Sequence, residues 1–275
     1  MTTTIHLIPH SHTDPGWLST YDEYYKKDVG KILGSVLHEL QADANLTFVW
    51  SETCYFARYF ESLHPNEQQN VRDLVTSGQL EFVGGGWVQH DEALTTVGGI
   101  LGSMTEGHIW LEQNFGVRPV VGWQIDPFGH SASSAALLGQ MGLAGVVVNR
   151  MHYRLKERWR SFRNLEFLWE SVPNLGWKDV LTHVLHTHYS SPMGFDLEGA
   201  RLSAPELADK ARQFHQFAVR RAQDYRCAWT RHEPPLTTSS SHERPPRPCA
   251  TSSQEPACDG ASRRRLPLAA RRISV

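Results

Sequence analysis

The chain has 275 residues, 40% of them apolar and 20% charged, and a formal net charge of −2. That length carries one large domain or two small ones, and that composition excludes a wholly disordered chain, a collagen and a coiled coil. No apolar run approaches the roughly 18 residues of a membrane span, no secretory signal is visible at the start, and the charge gives no argument for a nucleic-acid partner.

Strand and helix signals alternate along the chain. Residues 5–9 predict a short buried strand ended by Pro9, followed by a polar loop over 10–16. Tyr24, Tyr25, Val29, Ile32, Leu33, Val36, Leu37 and Leu40 recur at helical spacing and predict a helix over 21–40. A strand over 47–50 follows, then helices over 54–63 and 66–77, the second stopped by Gly78. A third strand over 79–83 runs into three glycines, a helix covers 99–115, and a fourth strand covers 120–125. A helix over 133–141 and a fifth strand over 145–148 complete the series, and a further amphipathic helix is predicted over 205–224. Strands alternating with helices imply βαβ units and a parallel sheet covered on both faces. In such folds ligands bind at the carboxyl ends of the strands. The polar and glycine-rich segments at 10–14, 50–52, 84–92, 126–130 and 149–153 all fall on that edge.

Composition breaks near residue 226. Residues 227–275 hold three of the four cysteines, seven prolines, eight arginines, no lysine and four acids, a local charge of +4. The other 226 residues carry −6. With five Leu, Ile or Val residues, the tail has too little apolar surface to offset its ordering entropy. The expected organisation is a catalytic-type α/β domain over 4–226 and a disordered Pro/Ser/Arg-rich tail over 227–275. The cysteine spacing gives neither a disulfide framework nor a Cys-type zinc site, and Cys54 reads as a buried small hydrophobe.

Three segments carry the chemistry. His12 and Asp14, two apart on an extended chain after strand one, offer imidazole nitrogen and carboxylate oxygen to a divalent ion; a turn opened by Asp14 before Pro15-Gly16 accounts for the same residues. Asp126 closes strand four before Pro-Phe-Gly and so stands on a rigid strand end, although it too is a residue type that starts turns. Gly84, Gly85 and Gly86 let the backbone approach something closely, without forming a phosphate loop. Asp91 and Glu92 offer either catalytic carboxylates or hydrogen-bonding partners of neighbouring loops, the second being the preferred reading.

Together these segments resemble the glycoside hydrolase family 38 α-mannosidases. The resemblance rests on Pro-His-Ser-His-Thr-Asp-Pro-Gly-Trp at 9–17, Gly-Gly-Gly-Trp-Val at 84–88 with Asp91-Glu92-Ala93, Ile-Asp-Pro-Phe-Gly-His-Ser at 125–131, and Arg150-Met151-His152-Tyr153 with Leu155-Lys156. It runs from about residue 5 to about residue 190. The first and last motifs look most like the Golgi type, and Gly129-His130-Ser131 is closer to the lysosomal type.

The resemblance implies a zinc-dependent retaining α-mannosidase acting on terminal α-mannosyl bonds of N-glycans, built on a seven-stranded barrel-like parallel-sheet (β/α) domain that this chain truncates. It implies zinc ligands at His12, Asp14 and Asp126, with Asp126 also the nucleophile. Trp17 matches a tryptophan that stacks on the sugar, Arg150 an arginine beside the nucleophile, and Tyr189 a substrate-contacting tyrosine. His10 reads as a hydrogen-bonding support. His90, His130 and His152 read as satisfied, partly buried histidines. Glu52 reads as a wall of the site, and Tyr55-Phe56 as core packing.

The family's acid/base carboxylate would follow the 205–224 helix, and no strand ending in Asp appears there. The last zinc ligand, a later histidine, is also missing. A shifted reading frame or mis-joined exon near residue 226 accounts for the break, with a disordered extension as the alternative. The expected activity is therefore weak or absent. Competing functional readings are a non-catalytic sugar-binding remnant and a metal-dependent deacetylase-like hydrolase. The expected partner is a mannose-containing oligosaccharide. The resemblance implies the Golgi or a lysosome or vacuole, although no signal or anchor is visible.

Overall fold

The computed structural model describes residues 4–170, 179–196, 201–225 and 271–274. Strand β1 (Thr4–Leu7) is followed by a loop and by helix α1 (Tyr21–Tyr24), whose start is fixed by a reciprocal cap between Thr20 and Glu23. Helix α1 passes through a π-helical turn (Tyr25–Val29) into α2 (Gly30–Ala42). The sequence predicts one regular helix here. The wide turn is closed by Gly30, where a Cβ would stand 3.2 Å from the Tyr25 carbonyl oxygen. The predicted stripe packs inward: Val29, Leu33, Leu37 and Leu40 are all buried.

Strand β2 (Phe48–Trp50), helices α3 (Thr53–Ser62) and α4 (Pro65–Thr76) and strand β3 (Leu80–Phe82) follow as predicted. Helix α4 begins with Pro65 at its first turn and a His64–Glu67 cap. Helix α5 (Val97–Phe115) starts two residues earlier than its spacing suggests, capped by Thr96, and ends at Gly116 with φ 66°. Phe56, Phe60, Phe82, Trp110 and Phe115 form one aromatic cluster between α3, β3 and α5. Strand β4 (Val121–Gln124), helix α6 (Ala132–Gln140) and strand β5 (Gly145–Val148) complete the predicted series.

Three elements were not legible: helix α7 (Tyr153–Ser161), strand β6 (Glu166–Trp169) and strand β7 (Val180–Val184). Their sheet has the order β4-β5-β7-β6, and β6 runs antiparallel to β7. The expectation of a parallel sheet is corrected at this edge. Ten residues separate β6 from β7, too few for the crossover that a parallel pair needs. The β2–β3, β4–β5 and β5–β7 pairs are parallel. A parallel bridge between His10 and Val49 extends β1 onto β2, and the Gly84 N–H donates to the Val121 carbonyl at 2.7 Å, tying β3 to β4. Among the described residues the sheet does not close into a barrel.

Helix α8 (Ala204–Ala222) starts at a Ser203–Glu206 cap with Pro205 in its first turn. It carries the predicted apolar stripe, yet none of its residues is buried; Phe214 and Phe217 meet Phe195, and Leu207 stays exposed. Strand β8 (Arg271–Ser274) pairs antiparallel with β1, inside a segment where the sequence predicts disorder. The rest of that predicted tail, and with it the 4–226/227–275 division, lies outside the described residues. Among the described residues no helix is long and apolar enough to cross a membrane.

Candidate metal centre

The carboxyl ends of the strands converge as the alternation predicts. The loop after β1 brings His12 and Asp14, and the residue after Ile125 at the end of β4 brings Asp126. One ligand atom from each of the three lies within 4.8 Å of the others. His12 Nε2 stands 3.4 Å from Asp14 Oδ1 and 3.6 Å from Asp126 Oδ2. That nitrogen is buried and has no hydrogen-bond partner. A buried, unpaired imidazole nitrogen facing two carboxylate oxygens fits a divalent metal ion, because the ion supplies the partner that nitrogen lacks.

The two oxygens of Asp126 have different neighbours. Oδ1 accepts from Arg150 Nε at 2.9 Å, from an Arg150 terminal nitrogen at 2.5 Å and from the Tyr189 hydroxyl at 2.7 Å, while Oδ2 faces His12. Burial pushes the carboxyl pKa up, but the Tyr189 and Arg150 hydrogen bonds and the His12 charge outweigh it and hold the group below its ordinary value. Asp126 is thus kept ionised, with one oxygen saturated and the other turned to the cluster. Arg150 follows β5 and Tyr189 follows β7; the guanidinium also lies over the Phe128 ring at 4.7 Å.

Lys156 on α7 ties the two strand ends that carry these groups. Its ammonium donates to the Asn149 carbonyl, the Asn149 side chain and the Thr187 carbonyl. Trp17 is 75% exposed, and its indole makes no ring contact among the described residues.

The supporting histidines differ from one another. His10 Nε2 donates to the Tyr189 carbonyl at 2.9 Å, and burial lowers its pKa, which favours the neutral ring. His130 Nδ1 pairs with Glu92 at 2.9 Å, leaving a buried Nε2 unpartnered, and His90 is buried against Gln124. His152 is exposed at the start of α7, stacked on Tyr153, so its expected partial burial is corrected. Glu92 also accepts from the Ser131 N–H, and Asp91 from the Ala93 and Leu94 N–H groups, which makes both loop-bracing acids. Cys54 is buried as expected, its thiol pushed up to about 12.

Two residues outside the expected ligand set reach the cluster: Glu52, expected as a wall of the site, and Tyr55, expected in the core. Glu52, after β2, is 1% exposed and its Oε1 lies 3.1 Å from His12 Nδ1. Tyr55, on the first turn of α3, is fully buried against Tyr21 and donates its hydroxyl to the Asp14 carbonyl at 3.1 Å. The glycines at 84–86 do not line the cluster. Gly84 packs on Trp123 of β4, while Gly85 and Gly86 lie against α5 and the segment after it: a Cβ on Gly85 would stand 2.5 Å from Pro119 Cγ and 2.9 Å from the His108 ring.

Comparison with known proteins shows the family. Alpha-mannosidase 2 of Drosophila melanogaster is 40% identical over 182 residues, covering 66% of this chain and 16% of that protein. Alpha-mannosidase F of Dictyostelium discoideum is 36% identical over 226 residues, covering 81% of this chain and 23% of that protein. The chain therefore spans about a fifth of the length of such relatives. The crystal structure of an alpha-mannosidase from Enterococcus faecalis superposes with a TM-score of 0.61 at 19% identity, over 79% of this chain and 23% of that one. The model of the glycosyl hydrolases family 38 N-terminal domain matches residues 2–225, and the chain belongs to that family.

Proposed function

We propose that this chain carries the metal-binding and nucleophilic part of a zinc-dependent retaining α-mannosidase. The observation that carries the reading is the cluster of His12, Asp14 and Asp126, with Asp126 Oδ1 saturated by Arg150 and Tyr189 and Oδ2 turned to His12. One nitrogen and two carboxylate oxygens suit zinc. When bound, zinc supplies a Lewis-acid hold on sugar hydroxyls and favours distortion of the ring toward the transition state.

The chain's own groups do the rest. Arg150 and Tyr189 keep the Asp126 carboxylate ionised and oriented. That carboxylate attacks the anomeric carbon of an α-mannoside; the new bond forms as the glycosidic carbon–oxygen bond breaks, and the electron pair leaves on the aglycone oxygen. The exposed Trp17 indole offers an apolar face to the CH face of mannose. Protonation of the leaving oxygen needs a second carboxyl group. Residues 226–270, where the resemblance would place it, lie outside the described residues. We read the chain as lacking this acid and as turning over unactivated mannosides weakly or not at all.

An aryl mannoside with a dinitrophenolate leaving group tests the reading, because that group departs without an acid. The zinc-loaded chain is expected to release about one equivalent of dinitrophenolate and to carry a mannosyl adduct on the peptide holding Asp126. Asp126→Asn abolishes both, and methyl α-mannoside is left intact. No release from the zinc-loaded chain would refute the mannosidase reading. Rapid turnover of methyl α-mannoside would refute the missing acid.

A further inference from the structure

We propose that Glu52 is a positioning residue of the metal centre, holding the His12 ring so that Nε2 faces the ion. The inference rests on the metal reading of His12, Asp14 and Asp126 and extends it to a residue outside the ligand set.

Four observations support it. Glu52 Oε1 lies 3.1 Å from His12 Nδ1, the nitrogen opposite the one that faces the two aspartates. The carboxylate is 1% exposed, and its Oε2 is buried without a partner. A carboxylate placed so costs free energy unless it has a charged or polar group to serve, and the His12 ring is that group. Glu52 also occupies the cap position before α3, with φ −83° and ψ 88°, yet its side chain makes no cap hydrogen bond. Asp, Asn, Ser or Thr at that position would accept from the first-turn N–H groups. The N–H groups of Thr53 and Cys54 donate to the Gly86 and Trp87 carbonyls, so the longer Glu52 side chain is not engaged as a cap. Here it is turned to His12 instead. Its backbone is anchored separately: the Glu52 carbonyl accepts from Trp50 Nε1 at 2.9 Å and from the Phe56 N–H at 3.3 Å.

A carboxylate that accepts from Nδ1–H fixes the tautomer and ring orientation, and directs the Nε2 lone pair to the metal. His12 has no other side-chain hydrogen bond among the described residues; its ring otherwise meets the edge of Tyr189 at 5.4 Å. Losing Glu52 would therefore free the ring to turn.

The test is the zinc dissociation constant of the full 275-residue chain, by competition with a chromophoric chelator, for wild type, Glu52→Ala and Glu52→Gln. Circular dichroism is recorded on each sample. Glu52→Ala is expected to bind zinc about 10–100-fold more weakly, the usual effect of removing such a partner. Glu52→Gln keeps an oxygen acceptor for Nδ1–H and is expected to lose about three- to tenfold, a partial rescue that a merely structural role would not produce. If the Ala variant does not fold, the Gln variant carries the test alone. Natively folded variants that bind zinc within about twofold of wild type would overturn the Glu52 inference and leave the metal reading standing. A wild-type chain that binds no zinc would overturn both.

Discussion

Gly107 on α5 is the residue whose replacement the packing forbids most directly. A Cβ there would press on the Gly85 carbonyl oxygen and stand 2.6 Å from the Gly86 carbonyl carbon and 2.7 Å from the Trp87 nitrogen. All three are backbone atoms, so no rotamer change relieves the overlap, and either α5 or the 84–87 loop must shift. Alanine in a helix gains about 1 kcal/mol over glycine. Overpacking costs about 1–3 kcal/mol and more where backbone must move. The balance for Gly107→Ala is a loss of about 2 kcal/mol, which lowers Tm by about 4–8 °C in a chain of this size. Gly102 on the same helix is the control: it is exposed, and a Cβ there meets nothing within 4 Å. Gly102→Ala should gain up to about 1 kcal/mol. Urea unfolding followed by tryptophan fluorescence measures both. A Gly107→Ala chain as stable as wild type would refute the reasoning.

Two further predictions follow from the site. Asp126 is held ionised below its ordinary carboxyl pKa. Its stabilising contribution is therefore fully present above an unfolded-state value of about 3.9 and is lost as pH falls through the lower folded value. Arg150→Met removes one cause of that shift, so the urea midpoint should fall less steeply between about pH 5 and pH 2 than in wild type; an unchanged slope would contradict it. Tyr55→Phe deletes the hydroxyl that donates to the Asp14 carbonyl, and should cost about 1 kcal/mol in urea unfolding while weakening zinc binding. A variant with wild-type stability and zinc affinity would show that the bond does not brace the loop.

The strand-end logic explains why much of the site was legible. Short apolar strands must be covered on both faces, so polar residues just past their ends have one place to go, and His12, Asp14, Asp126 and Arg150 all arrive there. Glu52 follows the same rule, but a lone acid after a strand carries no signal of what it touches, and its partner His12 is forty residues away. Tyr55 was hidden by its neighbours: in an apolar helix stretch an aromatic reads as core, and only the structure shows its hydroxyl at the loop. The three glycines announced a close approach but not its target, because Gly107 looks like any helical glycine until α5 is docked. Strand β6 is four residues long with a leading Glu, and its direction depends on the length of the following connection rather than on local pattern. The spacing on α8 shows an amphipathic helix, but periodicity alone does not supply a surface to bury its stripe.

The central claim is that His12, Asp14 and Asp126 together hold one zinc ion. A crystal structure of the chain grown with zinc, with anomalous data at the zinc edge, tests it most directly. One strong peak is expected about 2.0–2.2 Å from His12 Nε2 and from one oxygen each of Asp14 and Asp126. A zinc-saturated crystal with no peak among these three side chains would contradict it.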